Sequence, residues 1–259
     1  MTSVLAPLAA RYAWWLRLPA EQTAVPEAAE QVRAMPVVLR MEKSEPPSRT
    51  PLLEAAATAA LAVCLDERSR EGGEWHDAVH SWISGHIRKV ARRARGAHWR
   101  AVQELPGITV DVAGAQARAL LPCRVSDLPR EVSRLQVSGS DLPQDEPGPP
   151  PADVPLLLLN PEVTMTVGKA AAQVGHGTML LAALLGEAES KRWQEWGYRC
   201  AVRVATVAEW AAWRPRDPER GWLEQRVVAV RDAGFTEIAP GTITVLAHWR
   251  AAETAAHSR

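Results

Sequence analysis

The 259-residue chain is 47% hydrophobic and 23% charged, with a formal net charge of zero. That excludes wholesale disorder, collagen and fibre and leaves material for one large core or two smaller ones. No apolar run approaches the ~20 residues of a membrane span, since Val4 to Leu18 is interrupted by Pro7, Arg11 and Arg17. Cys64, Cys123 and Cys200 are scattered without a Cys-x-x-Cys pair, and the start lacks the order of a secretory signal, so the cytoplasm is the expected compartment. Neither side of Pro143 carries a charge excess, so any nucleic-acid contact has to come from a local patch.

In chain order, residues 1–35 read as an Ala-rich, partly helical extension broken at Pro19 and Pro26. A first α/β unit spans 36–142. It opens with a strand at PVVLRM, continues with an Ala/Leu helix from Leu52 to Leu65, and has helix from Trp75 to Leu105, in one piece or two joined near Gly85 or Gly96. ITVDV and RLQVSG read as its strands. Prolines at 143, 147, 149, 150, 151 and 155 mark 143–153 as an extended linker, because proline fixes its backbone angle and lacks the amide donor of helix and sheet.

The second unit, 154–259, opens with the buried-strand candidate PLLLL, followed by helices at about Val167 to Leu185 and Ser190 to Trp196. Tyr198 to Ala205 alternates as a half-buried strand. Pro215 and Pro218 interrupt the next helix, and Val227 to Val230 and Thr242 to Ala247 close the unit as strands. The order predicts α/β with a mixed sheet flanked by helices.

Two segments could carry chemistry. GKAAAQVGHG places Lys169, Gln173 and His176 at i, i+4 and i+7, so a cation, an amide and an imidazole share one helical face near an N-terminus suited to an anion; the bland reading is a solvated stripe. RDAGFT, Arg231 to Thr236, follows a strand, where open sheets bind ligands, and Gly234 gives a tight turn its freedom; the bland reading is a capped turn. No serine or cysteine nucleophile with a histidine partner is evident, and His76 and His80 lack a third ligand for a metal.

Together, Gly168, Lys169, Ala171, Ala172, Gln173 and His176, followed by Asp232, Ala233, Gly234, Thr236, Ile238, Ala239, Pro240, Gly241, Thr244, Val245 and Leu246, resemble the type II peptidyl-tRNA hydrolases over about Val154 to Ala247. The resemblance implies a four-stranded mixed sheet, hydrolysis of the ester that joins a peptide to tRNA, no metal or organic cofactor, and site residues Lys169, Gln173, His176, Asp232 and Thr236. Three departures stand out: Asn160, Pro161 and Glu162 where Arg-x-Asp is usual after the first strand, Glu237 where a glutamine is usual, and prolines that break the helix before Val227. Asn160 and Glu237 leave open a non-catalytic tRNA- or ribosome-associated protein that keeps the fold. Ester hydrolysis needs an oriented water, a base and a donor at the developing oxyanion. Lys169 suits the oxyanion, Thr236 the water or substrate, and Asp232 either the base or the anchor that orients Lys169.

The first unit reads as a decayed copy of the second. VVLRMEK parallels the first strand, with Arg40 and Glu42 where Asn160 and Glu162 stand, and LLEAAATAAL parallels VGKAAAQVGH, so Glu54, Thr58 and Leu61 occupy the places of Lys169, Gln173 and His176. The chain would then be a monomer with an internal pseudo-dimer, or else a homodimer; the bland alternative is that Ala-rich helices align easily. Finally, His86 to Arg100 is expected as a basic helix, with Arg88, Arg92 and Arg95 on one face, Lys89 beside them and Trp99 free to stack on a base, the candidate tRNA-binding surface.

Overall fold

The computed structural model describes residues 4–24, 27–137 and 141–249. The first half contains α1 (Ala6–Arg17), β1 (Arg33–Arg40), α2 (Arg49–Leu65), α3 (His76–Ser84), β2 (Lys89–Ala94), α4 (Gly96–Gln103), β3 (Gly107–Val112), β4 (Ala115–Leu120), β5 (Cys123–Arg124) and α5 (Arg130–Ser133). The second contains β6 (Leu156–Leu159), α6 (Val167–Leu184), α7 (Glu187–Glu195), β7 (Ala201–Val204), α8 (Val207–Trp213), α9 (Gly221–Gln225), β8 (Val227–Arg231) and β9 (Ile243–His248).

Each half builds a mixed sheet, and the two sheets share one plan. The strand orders are β2-β1-β4-β3 and β7-β6-β9-β8. In each the first two strands are parallel and the rest antiparallel. The repeat expected from the sequence is therefore present in the backbone. Register makes it residue by residue: Leu39 faces Ala117 and Val110 faces Ala117, as Leu159 faces Val245 and Val230 faces Val245. Val112 thus stands at the place of Asp232. The copies part immediately after it, for residues 113–114 form a two-residue hairpin with positive φ at Ala113 and Gly114, where the second half has the long loop 232–242.

The two long helices α2 and α6 lie back to back between the sheets. Both are Ala-rich and buried nearly all round, the composition of a helix enclosed by protein. Gly175 allows the close approach, since a Cβ there would lie 3.2 Å from Ala60 Cβ and 3.1 Å from the Lys89 side chain. Thr178 Oγ1 donates to the Ala57 carbonyl across the same seam at 3.0 Å. A single apolar core runs from Leu39 and Leu61 through Val174 to Leu157 and Val245. Trp99 and Val132 cover the outer face of the first sheet, and Trp210 that of the second.

The leading segment is tied to both halves. The Tyr12 hydroxyl accepts from the Ala229 amide at 2.7 Å and so closes part of the free edge of β8. Arg231 donates to the Trp15 and Leu16 carbonyls at the end of α1, both at 3.2 Å, and Arg11 to the Ser84 carbonyl at the end of α3, at 2.8 Å, where a cation suits the helix dipole. Residues 143–155 hold no helix or strand. They are pinned where Thr50 donates its amide and hydroxyl to Asp145, at 2.9 and 2.6 Å.

Several expectations are corrected. The basic segment is not a helix: α3 stops at Gly85, β2 pairs in parallel with β1, and helix resumes only at Gly96, whose φ is +50°. RLQVSG forms no strand within 134–137; one bridge joins Gln136 to Arg93, and 138–140 lie outside the described residues. The β7 strand is shorter than the alternation, because Tyr198 has a φ of +57° and ends the pattern. β1 begins at Arg33, before Pro36. That proline fits inside the strand because pairing with β4 starts at Val37 and pairing with β5 ends at Ala34, so its missing amide falls in the gap between them. β4, an Ala-rich strand, had no sequence signal of its own. Among the described residues no helix is long and apolar enough to cross a membrane.

Candidate active site

The start of α6 and the loop after β8 meet. Thr166 caps the helix by accepting from the Lys169 amide at 3.2 Å. Lys169 then reaches across, its Nζ 2.5 Å from Asp232 Oδ2 and 2.8 Å from Thr236 Oγ1. One turn on, Gln173 Nε2 donates to the same Asp232 oxygen at 2.7 Å, and Gln173 Oε1 accepts from the Thr244 hydroxyl at 2.5 Å. The Gly234 amide donates to Asp232 Oδ1 at 2.8 Å. Gly234 itself has a φ of +82°, and a Cβ there would sit 2.5 Å from Pro240, so the loop closes only around glycine.

Asp232 is 4% exposed, and the Lys169 side chain 11%. A carboxylate this buried needs its donors, and three hold it. Lys169 uses two of an ammonium's three hydrogens within the site, which leaves the third for a substrate oxygen.

The sequence departures have local explanations. Asn160 donates to the Ile243 carbonyl at 2.8 Å and accepts from the Glu162 amide at 2.9 Å, a turn at the end of β6. Glu237 accepts from the Thr166 hydroxyl at 2.7 Å and from its amide at 3.2 Å, which puts negative charge at the start of α6, where the helix dipole favours it. Neither residue interrupts the Lys169, Gln173, Asp232 and Thr236 constellation.

The constellation lines a cavity of about 310 Å³, walled by the second half, by Leu8, Tyr12 and Trp15 of α1, and by the chain from Gly85 to Ala91. His176 lies on this wall, and Lys89 of the first half approaches it, Nζ to Nδ1 at 3.0 Å. Burial first, then Lys89 and Lys169, hold the imidazole well below the usual histidine value. Burial also pushes the Lys89 ammonium down to about 7, with only the Cys64 thiol acting the other way. Trp82, fully buried, lies beneath, its ring centroid 5.1 Å from Lys89 Nζ.

Arg88, Arg92 and Arg95, expected on one helical face, and Lys89 beside them are therefore dispersed. Arg88 pairs with Glu27 and lies over the Phe235 ring at the cavity. Lys89 points to His176. Arg92 donates to the Ser133 and Leu135 carbonyls, at 3.2 and 2.8 Å. Arg95 is exposed ahead of α4, and Trp99 is buried at 7% and closed to stacking on a base. Sequence reasoning missed the place of Lys89 and of α1 in the cavity. One signal was available: the chain has four lysines among thirty basic residues, and two of the four meet here.

Lys89 carries a pH prediction. The unfolded lysine keeps its proton to about pH 10.4, whereas the folded one releases it near 7. Between those values the unfolded state binds more protons, so this group makes stability rise with pH by up to about 1.4 kcal/mol per unit, and the cost of burying the charge is fully present below 7. Cys64 and Cys200, pushed up to about 12 by burial, act oppositely once unfolded thiols ionise above about pH 8.5. The quantity to follow is the difference between wild type and Lys89→Met. Urea unfolding should show Lys89→Met gaining most at neutral pH and losing that advantage as pH rises; a constant difference would mean the buried lysine stays charged.

A mixed α/β domain that brings a lysine, an aspartate, a glutamine and a threonine together at a helix start and a strand end defines a candidate hydrolase. The family model described as peptidyl-tRNA hydrolase PTH2 matches residues 154–255, and the chain belongs to that family. It is similar to the peptidyl-tRNA hydrolase of Haloquadratum walsbyi, 31% identical over 91 residues, which are 35% of this chain and 80% of the relative. It is also similar to that of Thermococcus onnurineus, 33% identical over 102 residues, 36% of this chain and 79% of the relative. No solved structure matches the chain. Both relatives align with about a third of the chain, and the family model matches its second half.

Proposed function

We propose that the chain hydrolyses the ester between the peptide and the terminal ribose of peptidyl-tRNA, releasing peptide and free tRNA. The observation that carries this reading is the Lys169, Asp232 and Thr236 contact at one cavity, with Gln173 behind it, in a chain whose similar proteins bear that enzyme's name. Asp232 Oδ2 is committed to Lys169 and Gln173, while among the described residues Oδ1 accepts only from Gly234 and keeps a lone pair for a water. The water loses its proton to Oδ1 as its oxygen bonds the ester carbon. The remaining Lys169 hydrogen meets the oxyanion that forms, and Thr236, which accepts from Lys169, has its own hydrogen for water or substrate. The intermediate collapses with departure of the ribose oxygen, which takes the proton from Asp232 Oδ1 and restores the carboxylate.

The same reading takes the chain as a monomer whose first half fills a second subunit's place against α6. In this reading Arg88 at the cavity and the exposed Arg95 meet tRNA phosphates. Incubation of pure protein with N-blocked aminoacyl-tRNA in chelator should release free tRNA over many turnovers. Tight binding without release at stoichiometric protein would favour a non-catalytic tRNA-binding protein instead.

A further inference from the structure

We propose that Lys89, contributed by the half that lacks a site of its own, is a positioning residue of the hydrolytic centre: it holds His176 in the tautomer with hydrogen on Nε2, so that the imidazole donates to the ester substrate. The inference rests on the hydrolase reading for the identity of the substrate, but not for the contact itself.

Three observations converge. Lys89 Nζ lies 3.0 Å from His176 Nδ1, and both side chains line the cavity that holds Lys169 and Asp232. Below about pH 7, where Lys89 keeps its proton, the ammonium has three hydrogens and no acceptor, so in this contact Nδ1 accepts; a neutral imidazole that accepts at Nδ1 carries its hydrogen on Nε2. The placement is also built: Lys89 opens β2, whose pairing with β1 begins at Met35. The Trp82 indole fixes the preceding residue by donating to the Arg88 carbonyl at 3.0 Å, and Gly175 leaves the space through which the lysine stem passes, its absent Cβ only 3.1 Å from the Lys89 chain.

No carboxylate hydrogen-bonds or forms a salt bridge with Lys89 among the described residues. A cation there, between Trp82 and an imidazole, is poorly suited to stabilising the fold, because an ion taken out of water without a counter-charge costs stability. It is well suited to fixing a histidine, as outer partners of functional histidines do by setting which nitrogen carries the hydrogen. The pseudo-symmetric place in the other copy has Cys200, beside Thr58 at 3.9 Å and not among the residues that line the cavity, so the lysine is not a requirement of the repeated fold.

The test uses the full chain with Lys89→Met, which keeps an apolar stem of similar volume, and Lys89→Gln, which keeps a neutral donor. With N-blocked aminoacyl-tRNA, Lys89→Met should lower kcat by about ten- to a hundredfold, the scale of outer-partner losses, with KM unchanged and thermal stability not reduced. Lys89→Gln should fall between the two. Long-range 1H–15N spectra of histidine-labelled protein recorded below about pH 7, where Lys89 is charged, with the His176 signal assigned by its loss in His176→Asn, should show hydrogen on Nε2 in wild type and a mixture of tautomers in Lys89→Met. Wild-type kcat in Lys89→Met would overturn the inference, as would a rise in KM alone, which would make Lys89 a phosphate contact, or an unchanged tautomer. If wild-type protein releases no tRNA, the hydrolase reading fails by itself and the spectra still decide whether Lys89 governs His176.

Discussion

Lys169→Ala should lower turnover on N-blocked aminoacyl-tRNA by roughly a hundredfold or more, the loss seen when one preorganised donor to an oxyanion is removed. The ammonium is held from two sides, by Asp232 at 2.5 Å and Thr236 at 2.8 Å, so nothing has to reorganise when charge develops on the substrate. Alanine also leaves Asp232 with Gln173 and Gly234 as its donors, enough to keep the buried carboxylate paired and the loop closed. Asp232→Asn should be severely impaired as well, because it keeps the shape but loses both the charge that fixes Lys169 and the acceptor for the water's proton. Thr236→Val, which removes one contact to Lys169, should lie between these and wild type. Wild-type turnover in a folded Lys169→Ala protein, with circular dichroism and melting as controls, would remove Lys169 from the mechanism.

Trp82→Ala should destabilise the chain by about 3–5 kcal/mol, the range for emptying a buried aromatic site. Trp82 is completely buried in the shared core, its indole donates to the Arg88 carbonyl at 3.0 Å, and its ring lies under Lys89. The loss therefore combines a cavity, an unsatisfied carbonyl and a cation without its aromatic floor. Trp82→Phe keeps most of the volume and forfeits the hydrogen bond, which is worth about 1 kcal/mol. Denaturant unfolding with an unchanged m-value would measure both; a cost below about 1 kcal/mol for alanine would mean that α3 and β2 close over the gap.

How much of this was legible follows from how local each determinant is. Lys169, Gln173 and His176 share a helical face by spacing alone, and Asp232 and Thr236 sit in one tight loop, so the sequence named the residues that the structure brings together. The repeated sheet was legible for a related reason: VVLR and the Ala-rich helix after it retain the pattern of LLLL and α6. The basic segment was misread because Arg, Lys and Ala suit helices by propensity, whereas pairing of Lys89 to Ala94 with β1 decides the matter. β4 lacks β-branched residues and becomes a strand only because β1 and β3 flank it. The meeting of Lys89 with His176 depends on the crossing of α2 and α6 and on Gly175, which no spacing along the chain records.

The two-residue turn at 113–114 makes the division of labour between the halves a one-way change. Substituting lysine, glutamine and histidine at Glu54, Thr58 and Leu61 would return the helical face of a site, yet no chain would lie opposite it, since Val112 passes straight into the hairpin where the other half has 232–242. A second centre would require an inserted loop with its own tight glycine turn, not a set of point substitutions. On the proposed reading each molecule therefore has one hydrolytic centre among the described residues. The first half, released from the demands of chemistry at its own strand end, keeps the constraints of its own core, of the seam where it holds α6 and of the segment that sends Lys89 across.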